Sequence, residues 1–286
     1  MPKKPAVINV HEKNKKRRKT LTELFDKLAQ RYGRHTAWSD WIYMCAASIS
    51  QVMDFKQGRE DKYLHLINSY DKEYHNVFPE MFGELTFAFE EEGFGDILGD
   101  IYSSMRMTND KNGQVFTPYH ISKFMAALNG DADSLAAEIE RRGYITVSDP
   151  CCGAGVMLIS FADHCKDCDI NYQESVLFAA QDIDPVAALM CYVQMSLLGM
   201  PGYVIIGNAL SGQAPEADST WYTPMYFWQG FHYRTQTDIP EETEDTAITT
   251  EIVRQPETQK IIIPAAKIDV VLRETDSGQF AFDFAS

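Results

Sequence analysis

Between residues 144 and 206 the chain alternates strand and helix patterns, which leaves few architectures open to it. Tyr144–Ser148 is a short run with strand composition, and a glycine turn, Asp149-Pro150-Cys151-Cys152-Gly153-Ala154-Gly155, follows it. A helical run from Val156 to about His164 precedes a second strand at Val176–Ala180. Pro185–Leu198 then reads as a helix with Pro185 suited to its first turn, and Tyr203–Ile206 as a third strand. Strand, turn, helix, strand, helix, strand at these lengths predicts a parallel, doubly wound α/β sheet. Such sheets bind ligands at the carboxyl ends of their strands.

The turns at those ends carry the chemistry. Glycines in the first turn let a ligand approach the backbone and aim helix N–H groups at it. The second strand runs into Gln181-Asp182-Ile183-Asp184, where Asp182 can accept hydrogen bonds from both hydroxyls of a ribose. The third ends in Gly207-Asn208-Ala209-Leu210, whose Asn208 side chain suits the edge of an adenine.

Four segments are expected. Residues 1–19 form a basic, disordered tail. Residues 20–110 form a helical region in which Leu21, Leu24, Phe25 and Leu28 recur at helical spacing behind a Thr20 cap. Further helices are read around Trp38–Phe55, Lys62–Val77, Met81–Glu91 and Ile97–Met105. The dense aromatics here serve either as interhelix packing or as a platform for stacking bases. Residues 111–237 hold the α/β core, opened by helical residues 119–142. Residues 238–286 join an acidic linker, Asp238–Asp245, to a β-rich tail.

Charge sharpens this division. Residues 1–19 carry eight Lys/Arg and one acid, Glu12, a net of +7 in a chain at -15 overall, so the remainder stands at -22. A basic tail on an acidic body is suited to phosphate contacts, or is simply solvated. No stretch approaches the roughly 18 apolar residues of a membrane span, and no apolar segment follows Met1–Lys4 to make a secretory signal. With only 6 cysteines in 286 residues, a disulfide scaffold is excluded and a cytoplasmic location is expected.

Asp149-Pro150-x-x-Gly153-x-Gly155, together with Gly113-Gln114-Val115-Phe116-Thr117-Pro118 upstream, resembles the adenine-N6 DNA methyltransferases, above all the modification subunits of type I restriction systems. The resemblance spans about residues 95–210. It implies a Rossmann-like methyltransferase sheet behind a helical region, S-adenosylmethionine as cofactor, and DNA and a separate specificity subunit as partners. It assigns Phe116, Thr117, Pro118, Asp149, Cys151, Gly153 and Gly155 to the methionine half of the cofactor. Asp182 and Ile183 fall to its ribose, and Asn208, Ala209 and Leu210 to its adenine ring.

The family's Asn/Asp-Pro-Pro-Tyr/Phe tetrapeptide, which holds the flipped adenine's amino group, is absent from the sequence. By position its nearest counterpart is Trp221–Phe227, which makes Tyr222, Thr223 and Pro224 the candidate catalytic residues. The alternative is a catalytically degenerate accessory or nucleic-acid-binding protein that keeps the cofactor site. The 62 residues from Met225 to Ser286 are too few for the rest of such a sheet and a target-recognition module, so the sheet is expected to be truncated.

Two lesser signals remain. Cys165-Lys-Asp-Cys168 beside His164 has zinc-like local spacing but lacks a second pair, so no metal is expected. Gln279-Phe280-Ala281-Phe282-Asp283-Phe284 resembles the hexapeptide that docks bacterial proteins on the sliding clamp, with Gln279, Phe282 and Phe284 as its contacts; the other reading is a final edge strand packing on the body.

Overall fold

The computed structural model describes residues 10–107, 117–211, 216, 218–237, 270–274 and 280–284. Helices α1 (Val10–Tyr32), α2 (Arg34–Ser50), α3 (Gln57–Asn68), α4 (Val77–Glu92) and α5 (Ile97–Ser104) make the N-terminal helical region. Next come α6 (Tyr119–Leu128), α7 (Ala132–Arg142), β1 (Ile145–Asp149), α8 (Val156–Asp167), α9 (Tyr172–Ser175) and β2 (Val176–Asp182). The unit closes with α10 (Pro185–Leu197), β3 (Gly202–Ile206), β4 (Thr220–Tyr222), α11 (Pro224–Trp228) and α12 (Phe231–Thr237). The chain divides into residues 1–239 and 240–286. In the second unit, β5 (Val270–Glu274) pairs antiparallel with β6 (Phe280–Phe284).

A helical region thus precedes a mixed, Rossmann-like sheet core. Leu21, Leu24, Phe25 and Leu28 are buried as their spacing predicts. Trp38 meets Phe25 edge-on at 5.4 Å and Trp41 at 5.1 Å, both tryptophans fully buried. These aromatics are core. Only residues 1–9 of the expected basic tail lie outside the described residues, for α1 begins at Val10 and runs through Thr20, whose hydroxyl donates to the Lys16 carbonyl instead of capping. Arg17 pairs with Glu84 (3.2 Å) and Glu91 (3.1 Å), and Arg18 with Glu92 (2.6 Å) and Asp100 (2.9 Å). The cause lies in α4, whose last turn is acidic where the helix dipole already places negative charge; the α1 arginines offset both. Those two arginines are therefore engaged within the protein.

The sheet order is β1-β2-β3-β4. β1, β2 and β3 are parallel, with Asp149 beside Ala180 and Asp182 beside Ile206, so their carboxyl ends are level. β4 departs from the expected parallel pattern: it pairs antiparallel with β3, Tyr222 beside Tyr203 and Thr220 beside Ile205. Arg59, 5% exposed, fastens α3 to β4 by donating to the Thr220 carbonyl (2.7 Å), pairing with Asp54 (2.9 Å) and lying 3.7 Å over the Trp221 ring. Among the described residues no helix is long and apolar enough to cross a membrane.

Gly202 sits where any Cβ would strike the Phe178 carbonyl of β2. Gly202→Val should therefore destabilise by about 3 kcal/mol, the upper end of overpacking costs, read as a drop in denaturant midpoint. An unchanged midpoint would contradict the β2–β3 register.

Candidate functional site

At the carboxyl end of β1 the glycine turn folds back onto the end of β2. The Cys151 N–H donates to the Asp149 carboxylate at 3.0 Å, and the Cys152 N–H to the Gln181 carbonyl at 2.9 Å. The Gly153 N–H donates to one Asp182 oxygen at 2.8 Å; the other oxygen accepts the Asp184 N–H at 2.9 Å. Gly153 and Gly155 take φ values of 54° and 97°, in the left-handed region that disfavours side chains. Gly155 serves packing as well, since a Cβ there would lie 2.7 Å from the Cys191 sulfur of α10. The turn then passes into α8, with Gly155 as its N-cap.

Two carboxylates flank this turn. Burial pushes the Asp149 carboxyl above the usual carboxylate range; the Cys151 N–H opposes the shift, and the neighbouring Asp182 charge adds to it. A pair of hydroxyls could donate to these acids, because each carboxylate oxygen can accept more than one hydrogen bond, and a cation would offset their charge. At the next strand ends, Ile183 (69% exposed) and Leu210 (94% exposed) present apolar side chains to solvent. Asn208 and Ala209 are exposed beside them. The Asn208 side-chain oxygen accepts the Leu210 N–H at 2.9 Å, which orders that turn and leaves the amide nitrogen as its donor. The arrangement suits a ligand that joins a cation, adjacent hydroxyls and a flat ring.

Phe116 lies outside the described residues. Thr117 and Pro118 precede α6, with Pro118 as its N-cap. α6 packs on α8: Ser122 and Ser160 share a hydrogen bond at 2.5 Å, and the Tyr119 hydroxyl donates to Asp163 at 2.7 Å.

Beneath the turn lies a buried polar network that sequence reading missed. Gln194 of α10 donates to the Ala154 carbonyl (2.7 Å) and to Asp96 (2.8 Å), and accepts the Leu98 N–H (3.0 Å). Asp96 caps α5 by accepting the Gly99 N–H at 2.9 Å. A lone glutamine in the apolar run Val186–Leu197 was its one signal. The network ties the helical region to the glycine turn.

The candidate catalytic residues are placed elsewhere. Because β4 runs antiparallel, Tyr222 sits beside Tyr203, at the start of β3, whereas Asn208 follows its end. At about 3.3 Å per residue, the five steps from Tyr203 to Asn208 put roughly 17 Å between them. Tyr222 stacks on Tyr226 at 4.8 Å. The Thr223 hydroxyl accepts the Gly202 N–H (3.0 Å) and donates to the Met200 carbonyl (2.8 Å), and Pro224 opens α11. Tyr222, Thr223 and Pro224 thus close the opposite end of the sheet and are not part of this site.

Cys168 meets His164 at 3.7 Å, and no group of three or more metal-binding side chains forms among the described residues. Gln279 lies outside the described residues; Phe282 and Phe284 fall in β6, opposite Leu272 and Val270.

The N-6 DNA Methylase family model matches residues 93–224, which contain α5, the glycine turn and all four strands of the main sheet. This segment is distantly homologous to the N-6 DNA methylases. A search of curated proteins finds no match. A search of solved structures matches two chains. One, described as a class I S-adenosylmethionine-dependent methyltransferase from Listeria monocytogenes, shares 13% identity over 76% of this chain and 70% of its own, at a TM-score of 0.39. The other is the type I restriction-modification system methyltransferase subunit from Streptococcus thermophilus. It shares 15% identity over 63% of this chain and 42% of its own, at a TM-score of 0.29.

Proposed function

We propose that the chain binds S-adenosylmethionine at the glycine turn and serves adenine-N6 methylation of DNA as a cofactor-holding component. The observation that carries this reading is the pairing of Asp149 and Asp182 around the turn, within the segment matched to N-6 DNA methylases. The acids fit the cofactor's chemistry, since its methionine end bears an ammonium and a sulfonium and its ribose two adjacent hydroxyls. Asp182 would accept from the ribose, Asp149 would face the ammonium, and Ile183 and Leu210 would cover the adenine ring. Asn208 would donate to that ring, and Thr117, Pro118 and the glycine turn would hold the methionine half. When bound, the cofactor supplies an electrophilic methyl group. This chain's residues orient it and exclude water from it.

A second reading, that the chain is catalytically degenerate, is favoured by the direction of β4, which carries Tyr222–Pro224 away from the turn. Both readings keep the cofactor, and both leave DNA recognition to a partner such as a specificity subunit.

Calorimetry with S-adenosylmethionine tests the shared part. The chain should bind it, and Asp182→Ala should weaken binding by about 1.5–3 kcal/mol, roughly 10- to 150-fold, the range for hydrogen bonds to a charged group. Unchanged affinity in that variant would remove the ribose assignment, and a wild-type chain that binds nothing would sink the proposal.

A further inference from the structure

Thr117-Pro118 and the glycine turn are far apart in sequence, yet each runs straight into a helix, α6 and α8, and those helices pack together. They meet near their starts. Ser122 and Ser160, both fully buried, share a hydrogen bond at 2.5 Å. The Ser122 hydroxyl also reaches the Tyr119 carbonyl, and that of Ser160 the Val156 carbonyl, each at 2.8 Å. The residue after Pro118 and the residue after Gly155 are thus three hydrogen bonds apart.

Ser122 and Ala126 are the buried residues of α6, and side chains this small raise no ridge to key one helix into the other. Asp163 of α8 supplies the register instead. Its carboxylate accepts the Tyr119 hydroxyl at 2.7 Å and the Lys123 ammonium at 2.6 Å, while Lys123 also reaches Asp167 at 2.9 Å. The Asp163 side chain is only 14% exposed, and hydrogen bonds to a charged group are short and strong. Burial, followed by the bond to Asp163, raises the Tyr119 hydroxyl above its ordinary range, so it stays protonated and donating. Asp163 itself stands on the shaft of α8, about 12 Å beyond Gly155 at 1.5 Å per residue.

We infer that Asp163 is a positioning residue for the methionine half of the cofactor: by holding Tyr119 and Lys123 it fixes the start of α6, and so Thr117 and Pro118, against the glycine turn. This role rests on S-adenosylmethionine being the ligand of that turn, as proposed above. Asp163 acts through Tyr119 and not by touching the ligand. With the anchor gone, the start of α6 must be ordered at the moment of binding, which costs affinity. Only the part of the ligand held by Thr117 and Pro118 feels that cost. The ribose and adenine, held at the ends of β2 and β3, do not depend on α6.

Calorimetry of the full chain with two ligands tests this: S-adenosylmethionine, and methylthioadenosine, which keeps the adenine and ribose but lacks the amino-acid end. Asp163→Ala should weaken S-adenosylmethionine about tenfold or more and leave methylthioadenosine unchanged. Asp163→Asn, whose amide oxygen still accepts from Tyr119, should recover most of the loss. Should Asp163→Ala fail to fold, Tyr119→Phe carries the same comparison, since it keeps the ring and removes only the hydroxyl. Equal losses for both ligands would mean a general weakening of the fold and overturn the inference. So would an S-adenosylmethionine affinity indifferent to Asp163→Ala and Tyr119→Phe. A wild-type chain that binds neither ligand fails earlier, at the proposed function, and takes this role with it.

Discussion

Replacing Gln194 with leucine is expected to lower stability by about 3–5 kcal/mol, because three buried groups lose their partner at once. The Ala154 carbonyl, the Leu98 N–H and the Asp96 carboxylate each depend on that amide, and Gln194 itself is fully buried. Leucine fits the volume but offers none of them a bond. Urea denaturation should show the loss, and amide exchange at Gly153–Gly155 should quicken before global unfolding, since the Ala154 carbonyl anchors the turn. Asp96→Asn should be far milder, because its side-chain oxygen can still accept from Gln194 and Gly99. That variant also reads the acid's titration. Burial raises the Asp96 carboxyl above its ordinary range, opposed by bonds from Gln194 and Gly99. A raised acid contributes its stability in full below the ordinary carboxylate range and loses it as pH rises through the raised value. Asp96→Asn should flatten that loss; a pH profile identical to wild type would contradict it.

What was legible in the sequence, and what was not, follows from how far each signal reaches along the chain. The strand and helix runs of residues 144–206 needed only local periodicity, and β1, β2, β3, α8 and α10 lie within a few residues of where the pattern puts them. The direction of β4 is not periodic information. Its signal was the connection Gly207–Ser219, rich in Gly, Ser and Pro and without a helical pattern, whereas a parallel return usually runs through a helix. The engagement of Arg17 and Arg18 was hidden for the opposite reason. The composition of the basic run is local, but the acids that engage Arg17 and Arg18 lie 67 to 82 residues away, on α4 and at Asp100 of α5, where only tertiary packing brings them near. Asp182 was legible because a strand end fixes its place. Gln194 was hidden because a buried polar side chain takes its meaning from partners in two other elements.

Methyl transfer to adenine in unmethylated DNA by the chain alone should stay at the level of a protein-free control, although S-adenosylmethionine binds. The amino nitrogen of an adenine is a weak nucleophile, and a side chain that accepts its hydrogen bond aligns it with the methyl group; the loss of one such preorganised contact typically costs about 10²–10³ in rate. No Asn/Asp-Pro-Pro-aromatic sequence occurs between Met1 and Ser286 to provide it. Tyr222, the positional substitute, is held at the far end of the sheet by its pairing with Tyr203 and its stacking on Tyr226. Tyr222→Phe should accordingly change neither cofactor affinity nor any residual transfer, measured as labelled methyl incorporated into DNA. Strong transfer that Tyr222→Phe abolishes would contradict the direction of β4. Strong transfer indifferent to Tyr222→Phe would locate the amino-group acceptor at the glycine-turn end, where the exposed Asn208 side chain is the first to replace. If the wild type is silent until a second polypeptide is added, the added chain supplies what holds the base, and the division of labour runs between cofactor and target.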